Sequence, residues 1–471
     1  MNRRPASFLV LASAVALVAA TAAQAPPDAA ARDQLARLTA ADYADIQRQL
    51  GITAMRPGPS GNPSAANFAN TDESKANPYT TIPDPLVLAS GAPVRTARQW
   101  SRRRAELLDL FSREMYGRVP KQAPRVAWRE VRRVSTTLGG RAVRAREVTG
   151  RVDNRGYPAI TVDIRLMLVT PAEATGKVPL MIMFRGGGLP GDPPPPVPPN
   201  FRPPAPRPGD DPPATEQLIA AGWGYALLSP ASIQADNGAG LRQGVIGLAN
   251  HGRPRRPDDW GALRAWAWGA SRALDYLESD PTVDAARVGI DGVSRYGKAA
   301  LVTMAYDTRF RYGLIASSGA GGGKLLRRTF GEAIENLTGS GEYHWFAGNF
   351  LRYGAAAAEG GAKTALDLPV DAHQLFALCA PRPVFVSHGV PEQGDAHWID
   401  QRGGWMATLA AAPVYQLLGA RVDGVTGAWR TTPMPAVNEP RLDGPLAWRQ
   451  HDGGHTDAPN WKHFIAWARD R

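Results

Sequence analysis

The chain has 471 residues, long enough to bury a large core, and 44% of them are hydrophobic and 21% charged, proportions of a globular enzyme that exclude a disordered chain. Its one cysteine, Cys379, excludes an intrachain disulfide. The formal net charge is +11, but the arginines are dispersed among carboxylates, as Arg253, Arg255 and Arg256 beside Asp258-Asp259 illustrate. No nucleic-acid motif is present, so the charge reads as a surface property that favours an acidic polysaccharide.

Residues 1–25 read as an export signal: Arg3-Arg4, then the apolar stretch Phe8 to Ala20, then small residues. Ala20-Thr21-Ala22 and Ala23-Gln24-Ala25 both fit a cleavage site, and Pro26 after the second favours the first. An uncleaved anchor is the other reading, although the stretch is short for a membrane span. No later segment could span a bilayer, so a periplasmic or secreted product without membrane attachment after cleavage is expected.

Residues 26–76 form an N-terminal region. Leu35, Leu38, Tyr43, Ile46 and Leu50 fall near helical spacing, and Met55 to Lys75, rich in Gly, Pro, Ser and Asn, reads as an extended linker. Residues 77–471 read as one catalytic domain. Glu106 to Phe111 lies on a helix, and Val143 to Val169 alternates as antiparallel strands. Val178 to Phe184 is a buried strand ending at Arg185-Gly186-Gly187-Gly188. The proline-dense loop Leu189 to Pro213 follows, too long for a simple connection. Gly222 to Ser229 is the next strand, and Trp260 to Leu277 an amphipathic helix. Strands alternating with helices predict an α/β fold with a mainly parallel sheet covered on both faces.

Val288-Gly289-Ile290 reads as a short strand feeding Gly292-Val293-Ser294-Arg295-Tyr296-Gly297-Lys298, and Lys298 to Ala305 as a helix. A glycine-flanked serine on a strand-to-helix turn is a nucleophile elbow, although the second glycine comes one residue later than in G-x-S-x-G. The bland alternative is a tight turn with a capping serine. In α/β-hydrolases the triad runs Ser, then acid, then His. Pro383 to Gly389 reads as a strand followed by a loop with Glu392, Asp395 and Asp400; Pro445 to His451 reads as a last strand ending in Asp452-Gly453-Gly454-His455. Ser294, Asp395 and His455 thus stand in triad order. His451 is the nearest rival to His455. Its four-residue spacing invites a zinc reading, which Gly453-Gly454 argues against, since such a pair needs a helix. No metal and no cofactor are expected.

The elbow resembles the G-C-S-R-x-G-K elbow of glucuronoyl esterases, the fifteenth carbohydrate esterase family. The resemblance extends to Asn77-Pro78-Tyr79, Pro83 to Leu88 and Met115 to Pro120, then to Gly319 to Gly322, Arg327-Arg328, Phe330-Gly331-Glu332 and His344-Trp345-Phe346. It ends with Ala380 to Val384 and Gly453-Gly454-His455. It covers the chain from about Asn77 onward and implies an α/β-hydrolase of the bacterial type. In fungal relatives a glutamate precedes the segment matching Ser318 to Gly322, but Ser317 stands there. A serine cannot balance an imidazolium, so the acid is expected in the later loop as Asp395, with Asp400 and Glu392 as alternatives.

The resemblance implies that the Arg295 guanidinium stabilises the oxyanion, that Lys298 and Glu332 bind sugar hydroxyls, and that Trp398 covers the sugar ring. The backbone N–H of Arg295 can enter the oxyanion hole directly, and Gly186-Gly187-Gly188 matches a backbone oxyanion loop by position. The implied substrate is an ester of (4-O-methyl-)glucuronic acid on glucuronoxylan, as in lignin-carbohydrate linkages, cleaved through an acyl-enzyme by a monomer. The chemistry alone reaches a serine carboxylic-ester hydrolase. Two alternatives stand beside it: an esterase for another acyl group such as acetyl-xylan, and a degenerate hydrolase that only binds carbohydrate.

Overall fold

The computed structural model describes residues 29–76, 81–193 and 209–471. The export signal, Asn77-Pro78-Tyr79 and part of the proline-dense loop lie outside the described residues. The strands in chain order are β1 (Ile52–Met55), β2 (Val126–Leu138), β3 (Arg141–Val152), β4 (Asp163–Pro171), β5 (Val178–Phe184), β6 (Gly224–Leu228), β7 (Val283–Val293), β8 (Tyr312–Ala316), β9 (Ala355–Ala358), β10 (Val384–His388) and β11 (Leu446–Gln450). Nine of them form one sheet in the order β11-β10-β8-β7-β5-β6-β4-β3-β2, and β1 pairs with β9. From β11 to β6 every pairing is parallel; β4, β3 and β2 extend the sheet antiparallel. This is the α/β-hydrolase architecture.

The apolar runs are continuous because both sheet faces are covered. Along β5, Leu180, Ile182 and Phe184 enter one core and Met181 and Met183 the other, as a period of two requires. Helices Ala262–Glu278, Arg295–Tyr306, Ala372–Cys379 and Gln401–Leu417 fill the first face; Ala214–Ala220 and Trp461–Arg469 fill the second. The strand Val288-Gly289-Ile290 is the centre of a longer β7, which begins at Val283. Strand β2 was not expected. It lies at the sheet edge with a largely exposed, arginine-rich sequence.

The segment read as an extended linker is instead a series of turns, closed by the bridge between Ser60 and Phe68 and ending in the 3-10 turn Glu73–Lys75, and it packs against the catalytic body. Arg56 pairs with Glu335 at 2.9 Å. Asn336 Nδ2 donates to Pro59 O (2.8 Å), the N–H of Gly331 donates to Asn70 O (2.7 Å), and Arg328 pairs with Glu73. Ile46, Leu50 and Ile52 enter the main core. Among the described residues no helix is long and apolar enough to cross a membrane.

Candidate active site

Ser294 follows β7 directly and precedes helix Arg295–Tyr306, with φ 62° and ψ −129°. An L residue rarely adopts such a backbone, and it persists only where the surroundings impose it. The two flanking glycines impose it by close approach. A Cβ on Gly292 would lie 2.2 Å from Tyr296 O, and one on Gly297 would lie 2.6 Å from Ala316 O. The second glycine therefore falls at 297 because that is where the helix touches β8. The Ser294 side chain makes no capping hydrogen bond to its helix, which leaves Oγ free for chemistry.

The parallel ladder continues one residue past each strand. Ser294 N–H donates to Ala316 O (3.0 Å), Ser317 N–H to Ser387 O (2.9 Å), and His451 N–H to His388 O (2.8 Å). The loops after β7, β8, β10 and β11 thus leave one edge of the sheet side by side, the carboxyl end where α/β sheets place their sites. Asp395 hangs over this row. Its Oδ1 accepts from His455 Nδ1 at 2.8 Å. Its Oδ2 accepts from Ser317 Oγ at 2.8 Å and from the Gly389 N–H at 2.8 Å. Gln401 Nε2 donates to its backbone carbonyl at 2.8 Å. Asp395 is fully buried. Burial alone would raise its pKa, but the hydrogen bonds from His455 and Ser317 and the nearby His388 reverse that and hold it below the ordinary value. An ionised Asp395 only accepts, so the proton sits on Nδ1 of His455 and the Nε2 lone pair is left to take a proton from a nucleophile.

The rival carboxylates are placed elsewhere. Asp400 is buried, accepts from Arg328 Nε at 3.1 and 2.9 Å, and caps helix Gln401–Leu417 through the Gly403 N–H (2.9 Å). Glu392 is exposed. His451 is committed locally: Nε2 donates to Thr456 O (2.8 Å) and Nδ1 accepts from the Gly453 N–H (3.0 Å), so it shapes the turn that carries His455. Gly453-Gly454 has a steric cause. The Val390 N–H donates to Gly453 O (2.8 Å), while a Cβ on Gly389 would lie 2.1 Å from Gly454 O and one on Gly454 would lie 2.0 Å from Gln393 O. Acid loop and histidine loop touch backbone to backbone.

Arg295 opens the helix, so its N–H points toward the elbow with the positive end of the helix dipole behind it. Its guanidinium donates through Nη1 to Asp236 Oδ2 (2.7 Å) and lies 5.3 Å from the centre of the Trp345 ring. Lys298, one turn later, is buried; its Nζ lies 5.5 Å from the same ring centre and 3.5 Å from Glu332 Oε2. Glu332 Oε2 also accepts from the Ala320 N–H (3.1 Å), and the Glu332 N–H donates to Trp398 O (3.0 Å). Trp398 is 47% exposed, so its ring is free to cover a ligand, and Gly61 lies beside it. The turn Arg185-Gly186-Gly187-Gly188 follows β5, the neighbour of β7, and Asp192 closes it by accepting from the Leu189 N–H (2.8 Å).

Three groups of this site were not anticipated in these roles. Ser317, expected only as the residue that replaced a carboxylate, orients Asp395. Glu342 has a buried Oε2 with no hydrogen-bond partner among the described residues. Burial, then the proximity of Glu332, pushes its pKa up to about 7 against the pull of Lys298 and Arg295. Its one sequence signal is its place two residues before His344-Trp345-Phe346, which says nothing of its contacts. Asp236 had no local signal; its partners are Arg295, His344 and Trp345. Among the described residues no group of three or more His, Cys, Asp or Glu is arranged to hold a metal.

A family profile described as "Glucuronyl esterase, fungi" matches residues 255–419. A solved glucuronoyl esterase of carbohydrate esterase family 15 from Teredinibacter turnerae is 42% identical with a TM-score of 0.81, covering 92% of this chain and 99% of that one. "Carbohydrate esterase MZ0003", from an unknown prokaryotic organism, is 30% identical over 434 residues, 85% of this chain and 91% of that protein. A 4-O-methyl-glucuronoyl methylesterase of Cerrena unicolor is 27% identical over 402 residues, 81% of this chain and 73% of its own length.

Proposed function

The chain belongs to carbohydrate esterase family 15, the glucuronoyl esterases, and from that premise we propose that it hydrolyses esters of (4-O-methyl-)glucuronic acid carried on glucuronoxylan, releasing an alcohol. The observation that carries the reading is the buried, ionised Asp395 bonded at 2.8 Å to His455, beside a serine held in a strained elbow.

Ser294 Oγ attacks the ester carbonyl as His455 Nε2 takes its proton. Asp395 fixes the imidazole tautomer and stabilises the imidazolium. The Arg295 N–H and guanidinium face the developing oxyanion, where a fixed positive charge lowers the barrier. His455 then protonates the leaving alkoxide, and water, activated by the same histidine, releases the glucuronate from Ser294. Lys298 and Glu332 bind sugar hydroxyls, Glu342 adds a third polar group beside them, and Trp398 covers the ring. The enzyme acts as a monomer outside the cytoplasm.

Ser294→Ala should abolish turnover of benzyl glucuronate with the fold intact by circular dichroism. The wild-type enzyme should prefer benzyl glucuronate to an acetyl ester. Preference for the acetyl ester would move the substrate assignment to another acyl group, and no hydrolysis of either would leave a binding protein.

A further inference from the structure

The guanidinium assigned to the oxyanion sits on a flexible side chain that is 46% exposed. Such a chain samples many rotamers, and a group must be preorganised to stabilise a transition state. Among the described residues the hydrogen bond from Arg295 Nη1 to Asp236 Oδ2, at 2.7 Å, is the side-chain anchor the structure gives it. A guanidinium has five N–H donors, so most remain for a ligand.

Asp236 is itself held from several sides. Its Oδ1 accepts from His344 Nε2 (2.9 Å) and Trp345 Nε1 (2.6 Å). The Trp345 ring is the one that Arg295 faces at 5.3 Å, so one carboxylate fixes both the cation and its aromatic support. The loop bearing Asp236 is clamped by Gln234, which is fully buried: its carbonyl accepts from Trp266 Nε1 (2.9 Å), its Nε2 donates to Gly240 O (2.6 Å), and its Oε1 accepts from the Ile246 N–H (3.1 Å). Burial alone would raise the Asp236 pKa, but the hydrogen bonds from His344, Trp345 and Arg295 hold it well below the ordinary value, so it is an anion throughout the working range.

We propose that Asp236 is a positioning residue: it pins the Arg295 guanidinium against Trp345 over the nucleophile elbow, so that the oxyanion meets a cation already in place. The proposal rests on the reading of Arg295 as an oxyanion group. It carries an internal contrast. If Asp236 only offset the charge of Arg295, removing its own charge would strengthen the cation and speed the reaction. If it positions, removing it slows the reaction.

The test is a double-mutant cycle on benzyl glucuronate, with kcat normalised to active sites titrated by a fluorophosphonate at Ser294. Arg295→Ala should lower kcat by roughly 10²–10³, the usual loss for one oxyanion donor. Asp236→Asn should lower kcat by about 10- to 100-fold while KM changes by less than about threefold, because the interaction is made in the transition state. The double variant should be no slower than Arg295→Ala, because Asp236 acts through the arginine. Asp236→Glu keeps the charge, displaces it by one methylene, and should also be slow. If Arg295→Ala keeps its activity, the oxyanion reading of Arg295 fails. If Arg295→Ala is slow but Asp236→Asn is unchanged or faster, or if the two losses multiply in the double variant, the positioning role of Asp236 fails.

Discussion

Ser317 and Asp395 divide one task. Asp395 carries the charge that faces the imidazole, and Ser317 Oγ, with the Gly389 N–H, holds its other oxygen. Asp395→Asn should cost on the order of 10⁴ in kcat, as loss of a tautomer-fixing acid does. Ser317→Ala should cost far less, about tenfold, because the backbone donor remains; steady-state kinetics on benzyl glucuronate would separate the two. Equal losses would mean that the hydroxyl does more than aim the carboxylate. Glu342 gives a pH signature. Its pKa is raised from 4.5 to about 7, so its contribution to stability is complete below about pH 4.5 and is lost as pH rises through 7. Glu342→Gln removes that titration, so its melting temperature relative to wild type should be higher at pH 8 than at pH 5. A pH-independent difference would sink the assignment. Ser294, Arg295 and His455 were readable from short motifs, because an elbow and a Gly-Gly-His turn are local. Ser317, Glu342 and Asp236 were not, because their roles lie in contacts with residues remote in the sequence, as with Ser317 and Asp395, whose numbers differ by 78.

At the level of elements, the histidine loop is aimed by backbone contact. Val390 bonds to Gly453, and Gly389 and Gly454 meet too closely for any side chain. Gly454→Ala would place a Cβ 2.0 Å from the Gln393 carbonyl oxygen, so both loops would have to part. We expect kcat to fall by at least about 10²-fold, the cost of misplacing a catalytic group by about an ångström, while far-UV circular dichroism and the core remain those of the wild type. Unchanged kcat would show that the interlock is dispensable. The parallel strands were legible because burial on both faces writes continuous apolar runs. Strand β2 was not, because Arg129, Arg132 and Arg133 on an exposed edge break any apolar period. The segment 55–75 was legible as lacking long helices and strands, but neither its turns nor its place beside Trp398 was, since the hydrogen bonds that bind it come from distant loops to its backbone carbonyls.

Across the whole molecule, the alternation of strands and helices was enough to predict a doubly covered sheet, while the strand order followed only from the structure. That order brings β7, β8, β10 and β11 together, so Ser294, Asp395 and His455, spread over more than 160 residues, share one edge. The positive charge is distributed over the surface in many short-range pairs, such as Arg309 with Asp275, Glu278 and Asp307.

The hydrogen bond between Ser317 and Asp395 bears on how related sequences are read. The resemblance to fungal enzymes puts their acid at the position of Ser317, and here the carboxylate hangs from the next strand, one hydrogen bond away. The two addresses for the negative charge adjoin, at the ends of neighbouring strands. Here the first address holds a hydroxyl that bonds to the carboxylate at the second. In such a family, a missing acid at one strand end is a reason to inspect the neighbouring strand before counting a sequence as inactive.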